Sequence, residues 1–232
     1  MTQASETMAE AGGERLSLAE SAYRILKRRI LDNDLPPGTI MLELEVAEML
    51  NMSRTPAREA MVRLADEGLV DVRPRHGMRV LPISADDMRE IYSVLTALES
   101  EAAEWVARDG VSETRLQELR GAVADMDASL ARDDLAAWAA ADEQFHRCLV
   151  EACGNARLRA LIFQYWDQSH RVRMATLRLR PKPVDSNRDH LALVEAIATR
   201  DPERARTIHR QHRKRHGEML AGLLDSRRGA LL

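Results

Sequence analysis

The stretch LPPGTIMLELEVAEMLNMSRTPAREAMVRLADEGLVDVRPRHGMRV, Leu35 to Val80, decides how the N-terminal third of this chain folds. At its centre stands SRTPAREA, Ser53 to Ala60. A hydroxyl residue there can cap the free amides of a helix, and Pro56 falls in the first turn, where a missing N–H is tolerated. Behind it Ala57, Ala60, Met61 and Leu64 recur at helical spacing, which predicts an amphipathic helix from Ser53 to about Glu67, closed by Gly68. Leu69-Val70-Asp71-Val72 then alternates like a strand, Arg73-Pro74-Arg75-His76-Gly77 reads as a tight turn, and Met78-Arg79-Val80-Leu81 reads as the returning strand.

Working backwards, Glu43 to Leu50 reads as a helix that buries Leu44, Ala47 and Met49 or Leu50, and it stops at Asn51-Met52. Leu35-Pro36-Pro37-Gly38 enforces a turn before it. Leu18, Ala22, Ile25, Leu26, Arg29 and Ile30 give a first helix, with Ser17 as N-cap and Asn33-Asp34 as its end. Helix, helix, helix, hairpin over residues 16–82 predicts a winged helix-turn-helix.

Beyond Pro82 the pattern is helical throughout. Ser84 followed by Asp86 and Asp87 is a strong helix start, with acids where the helix dipole favours them. Six helices are predicted, at about 85–108, 112–132, 134–152, 155–180, 185–199 and 201–224. Short loops between them imply an antiparallel bundle over residues 83–225, so the fold class is mainly α. Residues 1–15 and 226–232 read as tails, the first of them disordered.

With 232 residues the chain is long enough for two small domains, and 45% hydrophobic, 31% charged and 3% aromatic residues suit a helix-rich protein. The first residues show neither a signal nor a transit pattern and every apolar stretch is interrupted by charge, so a cytosolic protein without membrane contact is expected. Cys148 and Cys153, five apart on one helix, point in different directions and read as packing residues. A net charge of -3 means that any nucleic-acid binding must rest on a local surface.

Such a surface exists. Arg54, Thr55 and Arg58 project from the first turns of the third helix, opposite its apolar face, where guanidinium groups can pair with guanine edges and phosphates. Arg75 and His76 at the hairpin tip are placed to enter the adjacent minor groove, with Gly77 permitting close backbone approach. Two arginines on a helix are, taken alone, ordinary solvated charges. The order of elements gives them meaning, as do six arginines against four acids from Ser53 to Val80.

Leu35–Val80 looks like the winged helix-turn-helix of the GntR family, over residues 16–82. The resemblance implies DNA contacts at Arg54, Thr55, Arg58, His76 and Gly77. Leu44 stands where some members carry a base-contacting arginine, which implies a different operator.

In the second half, Asp142 and His146 lie four apart on one helix face, which suits two ligands of one divalent cation. Such a pair is more often an exposed ion pair. His190 lies on a later helix, and His209, His212 and His216 lie on the last one, so a bundle can bring imidazoles from three helices to one point. The alternative is a solvated basic face around Arg213, Lys214 and Arg215. This half resembles the FCD effector domain of the FadR subfamily of GntR regulators: DEQFH at 142–146, Asn155 and Leu158, DHLALVEAIATRD around His190, and a histidine eleven residues after Asp201. The resemblance selects His212 over its neighbours. It implies an Asp142, His146, His190 and His212 site for zinc, with nickel or manganese as alternatives, whose open positions anchor a small carboxylate effector. Leu95 replaces an arginine common in the family, which leaves Arg171 or Arg173 as the second anchor. A ligand-responsive regulator, of repressor type and dimeric on a palindromic operator, is therefore expected. The competing expectations are a purely metal-responsive regulator and a metal-dependent hydrolase, the latter lacking an obvious base or nucleophile beside the metal.

Overall fold

A computed structural model describes residues 17–226. The tails expected at 1–15 and 226–232 lie outside that range, except Ser226. The N-terminal domain runs α1 (Leu18–Leu31), β1 (Ile40–Met41), α2 (Glu43–Leu50), α3 (Arg54–Asp66), β2 (Val70–Arg73) and β3 (Gly77–Val80). Ser17 caps α1 by accepting from the amide of Glu20 at 3.1 Å. The buried faces of α1 and α3 supply Ala22, Leu26, Ile30, Ala57, Ala60, Met61 and Leu64, and these close on Met78 and Val80 of the hairpin as one core.

Two local expectations are corrected. The short α2 buries Val46, Ala47 and Leu50, whereas Leu44 is 53% exposed. Val46 and Leu50 are an i,i+4 pair that sets the buried face, and Leu44 lies off it. The hairpin is also not alone, because β1 pairs antiparallel with β3, Met41 opposite Met78, giving strand order β1-β3-β2. This pairing explains Gly77. Its φ is +74°, and a Cβ there would stand 2.0 Å from the carbonyl oxygen of Met41. The close backbone approach that glycine permits is made to its own sheet.

The helical domain runs α4 (Ala85–Asp109), α5 (Glu113–Ala131), α6 (Leu135–Ala152), α7 (Ala156–Ala175), a 3₁₀ turn (Leu177–Leu179), α8 (Val184–Ala198) and α9 (Pro202–Ser226). Ser84 and Asp87 form a capping box, each side chain accepting from the other's amide. Asn155 accepts from the amides of Arg157 and Leu158, both at 3.0 Å, so it starts α7. The helix expected to run to 180 instead stops at Ala175. Pro181 explains the later break: the residue before a proline is pushed away from helical angles, and Arg180 is extended at φ -88°, ψ 153°. α4 packs along α9, and the two cysteines sit in the core beside Leu149 and Phe145. No helix among the described residues is long and apolar enough to cross a membrane.

Candidate DNA-reading face and histidine site

On α3 the buried alanine, methionine and leucine face the core, and Arg54, Thr55 and Arg58 are left exposed at the helix start. Arg54 donates from Nε to Glu43 of α2 at 3.0 Å, which steadies it beside the helix N-terminus. At the turn between β2 and β3, Arg75 adopts a left-handed φ of 65° and stands exposed with His76, whose Nδ1 lies 2.9 Å from the carbonyl of Pro74. One domain thus presents an arginine-bearing helix and a basic hairpin tip to solvent.

The second site lies inside the helical domain. Asp142 and His146 come from α6, His190 from α8 and His212 from α9, and none is more than 4% exposed. His146 Nε2 and His190 Nε2 stand 3.3 Å apart, and Asp142 Oδ1 lies 3.7 Å from the first and 3.8 Å from the second. Each of His146, His190 and His212 offers a nitrogen within 4.8 Å of the other two. His212 holds Asp189 Oδ2 through Nδ1 at 3.2 Å, which turns its Nε2 away from that carboxylate. Both Asp142 Oδ1 and His212 Nε2 are buried without a hydrogen-bond partner. Burial, followed by the nearby positive charge of Arg213 and the other histidines, holds His146 well below the usual imidazole range. His190 is lowered in the same way by burial and then by His212. Imidazole nitrogens grouped beside an orphaned carboxylate oxygen are a donor set that could hold a divalent cation such as zinc.

Beneath this cluster sits a residue that the sequence reading missed. Glu99 of α4 is fully buried and accepts from Trp166 Nε1 at 2.8 Å, from Arg213 Nε at 2.8 Å, and from His209 Nε2 at 3.1 Å. His146 Nδ1 lies 3.7 Å away. Burial alone would raise this carboxyl, but Arg213 and then His209 outweigh it and hold it at about 2. Glu99, His146 and His209 also lie close enough to share an ion. Both oxygens of Glu99 are taken, by Trp166 on one and by His209 and Arg213 on the other, whereas Asp142 Oδ1 has no partner, so of the two groups the Asp142 side is the one that could hold a cation. A signal existed in the sequence: Glu99 falls on the apolar stripe of Leu95, Ala102 and Val106.

The arginines fall differently from expectation. Arg173 reaches the cluster, donating from Nη2 to Asp142 Oδ2 at 3.2 Å, and so holds a carboxylate of the protein itself. Arg171 is buried without a hydrogen-bond partner and does not line the cavity beside the histidines. That cavity, of 210 Å³, is walled by Trp138, Leu177 and Met219 and by the polar groups of Arg180, His212 and His216. Arg180, half-buried in its wall, lies 3.4 Å from His216 and is lowered to about 10 by burial and then by Arg173, so it stays charged at neutral pH. Leu95 is wholly buried in the core.

Residues 18–80 match the model of the bacterial regulatory proteins of the gntR family, and residues 90–215 match the FCD domain. The chain belongs to the GntR family. Among relatives of this GntR regulator, an HTH-type transcriptional regulator of Agrobacterium vitis, from the TAR-I ttuE-ttuC' intergenic region, is 42% identical over 156 residues. The match covers 65% of this chain and 91% of that protein. The HTH-type transcriptional repressor RspR of Escherichia coli strain K12 is 30% identical over 202 residues, covering 83% and 85%. The fold of this GntR protein is similar to that of Escherichia coli McbR/YncC, with a TM-score of 0.76 at 20% identity over 90% of this chain and 99% of that one.

Proposed function

We propose that this DNA-binding transcription regulator acts as a homodimeric repressor on a palindromic operator and responds to a small carboxylate bound at a divalent metal in its helical domain. Arg54, Thr55 and Arg58 would read base edges in the major groove, while Arg75 and His76 reach the neighbouring minor groove. Asp142, His146, His190 and His212 would hold the metal. A cation there supplies positive charge and open coordination positions for an oxygen ligand. Arg180, at the wall of the adjoining cavity, then faces the other end of an organic acid of a size that fits 210 Å³.

The observation that carries this reading is the meeting of four buried metal-type donors from three helices, Asp142 Oδ1 and His212 Nε2 among them left without a partner, against a cavity that holds an arginine. Dimerisation follows from the two-fold symmetry with which such reading heads engage DNA. A duplex selected from random sequence, titrated by gel shift with zinc alone, with dicarboxylic and sugar acids alone, and with both, tests it. Release of the duplex only when zinc and an acid are both present is expected. Release by zinc alone would favour a purely metal-responsive regulator, and unchanged affinity in every arm would refute ligand control.

A further inference from the structure

Among the described residues, the side-chain hydrogen bonds and ion pairs that join the two domains land on one helix, α7. Gln168 Nε2 donates to the backbone carbonyl of Glu67 at 2.7 Å. Glu67 is the C-cap residue of α3, so the carbonyl end of the DNA-reading helix takes a partner from the other domain. One turn away, Lys27 of α1 bridges the Glu67 carboxylate at 2.7 Å and Asp167 of α7 at 2.6 Å. Tyr23 adds its hydroxyl to Glu67 at 2.7 Å, and Arg63 of α3 lies 3.5 Å above the tyrosine ring.

The same helix touches the histidine site. Trp166 donates to Glu99, Arg173 pairs with Asp142, and the carbonyl of Arg173 accepts from Arg180 of the cavity wall. Asp167 and Arg173 are six residues apart, about 9 Å along a helix, so the two sets of contacts share one rigid segment. Arg173 and a divalent cation are competing counter-charges for the Asp142 carboxylate, since like charges brought to one carboxylate in a buried site repel strongly.

We propose that α7 is the lever between the histidine site and the DNA-reading head: Arg173 and Arg180 register what occupies the site, and the Gln168 and Asp167 clasp on Glu67 and Lys27 holds or releases the end of α3. The inference rests on the metal reading above. With the site filled, Arg173 loosens from Asp142, α7 shifts, and the clasp on Glu67 changes. A helix that carries contacts to both sites on one rigid segment is the physical element through which such a bias travels.

Zinc alone, added to the full chain, is the probe. Hydrogen exchange of residues 64–69 reads the clasp, and chelator competition reads zinc affinity. In the wild type, zinc is expected to change exchange in that segment at least fivefold. In Gln168→Ala and in Lys27→Met zinc still binds, its affinity shifted by about the factor of the coupling that is removed, while the zinc-dependent change is lost. Asp142→Asn, which removes a ligand, loses both. Gln168→Ala deletes a single hydrogen bond and serves if Lys27→Met fails to fold. A wild type that binds zinc with no change at 64–69, or variants that keep the full change, would overturn the lever and leave the metal reading standing. A wild type that binds no zinc would overturn both.

Discussion

Replacing Glu99 by glutamine keeps the shape of the floor under the histidines and removes its charge. The wild-type carboxylate is fully buried, so its effect is not diluted by solvent, and Arg213 has its counter-charge there. Removing one partner of a buried ion pair costs roughly 3–5 kcal/mol, because the other charge is left uncompensated. A second route gives a similar figure. A carboxyl held at about 2 against an ordinary 4.5 contributes, at about 1.4 kcal/mol per pH unit, about 3 kcal/mol at neutral pH. The folded value is the lower one, so this stability is fully present above pH 4.5 and is lost as pH falls through about 2. Urea melts of metal-stripped wild type and Glu99→Gln, at pH 7 and pH 4, measure it. The variant should be less stable by about 3 kcal/mol at pH 7, and the gap should narrow by about 1 kcal/mol at pH 4. A deficit below about 1 kcal/mol at pH 7, or a gap that does not move with pH, would refute the claim that the Glu99 charge holds Arg213 and the surrounding helices together.

The other expectations concern the two sites and the wing. Arg58→Ala should weaken binding to the selected duplex by about 1–3 kcal/mol with its circular dichroism unchanged, and wild-type affinity in anisotropy titrations would remove Arg58 from the reading face. The wild type is expected to purify with stoichiometric metal and His190→Ala and His212→Ala without it, which elemental analysis contradicts directly if both variants keep it. Asp189→Asn, which loosens the grip on His212 Nδ1, should weaken zinc binding by about 10–100-fold in chelator competition, and an unchanged constant would mean that His212 needs no such support. Gly77→Ala meets the Met41 carbonyl and a left-handed φ together, so a destabilisation of about 2 kcal/mol or more is expected. Exchange at the Val80 amide, which bonds to Thr39 at 2.9 Å, should rise with it, and native-like protection there would show that β1 adapts.

Much of the fold was legible because its signals are local. The apolar face of α3, the caps at Ser17 and Ser84, and the turn at Leu35-Pro36-Pro37-Gly38 each depend on residues within a turn or two of one another. β1 escaped because two residues of strand carry no period, and only the opposite β3 makes Ile40 and Met41 a strand. Leu44 escaped because an eight-residue helix allows more than one apolar face until a neighbour chooses. At the histidine site, Asp142 and His146 could be paired by helix geometry, and His190 and His212 by resemblance. Arg180 was read as the end of a long helix, whereas the turn before Pro181 puts it on the cavity wall.

From its own residues the chain determines an arginine-bearing helix followed by a basic hairpin, and one helix face that carries a carboxylate and an imidazole, since periodicity and capping act over a few positions. Only the packing of α4, α6, α8 and α9 decides that His146, His190 and His212 share one point, that Glu99 rather than water neutralises Arg213, and that α7 touches both domains. Those are contacts between residues 22 to more than 100 positions apart, and the free energy that selects them is the burial of helix faces whose partners no local pattern names.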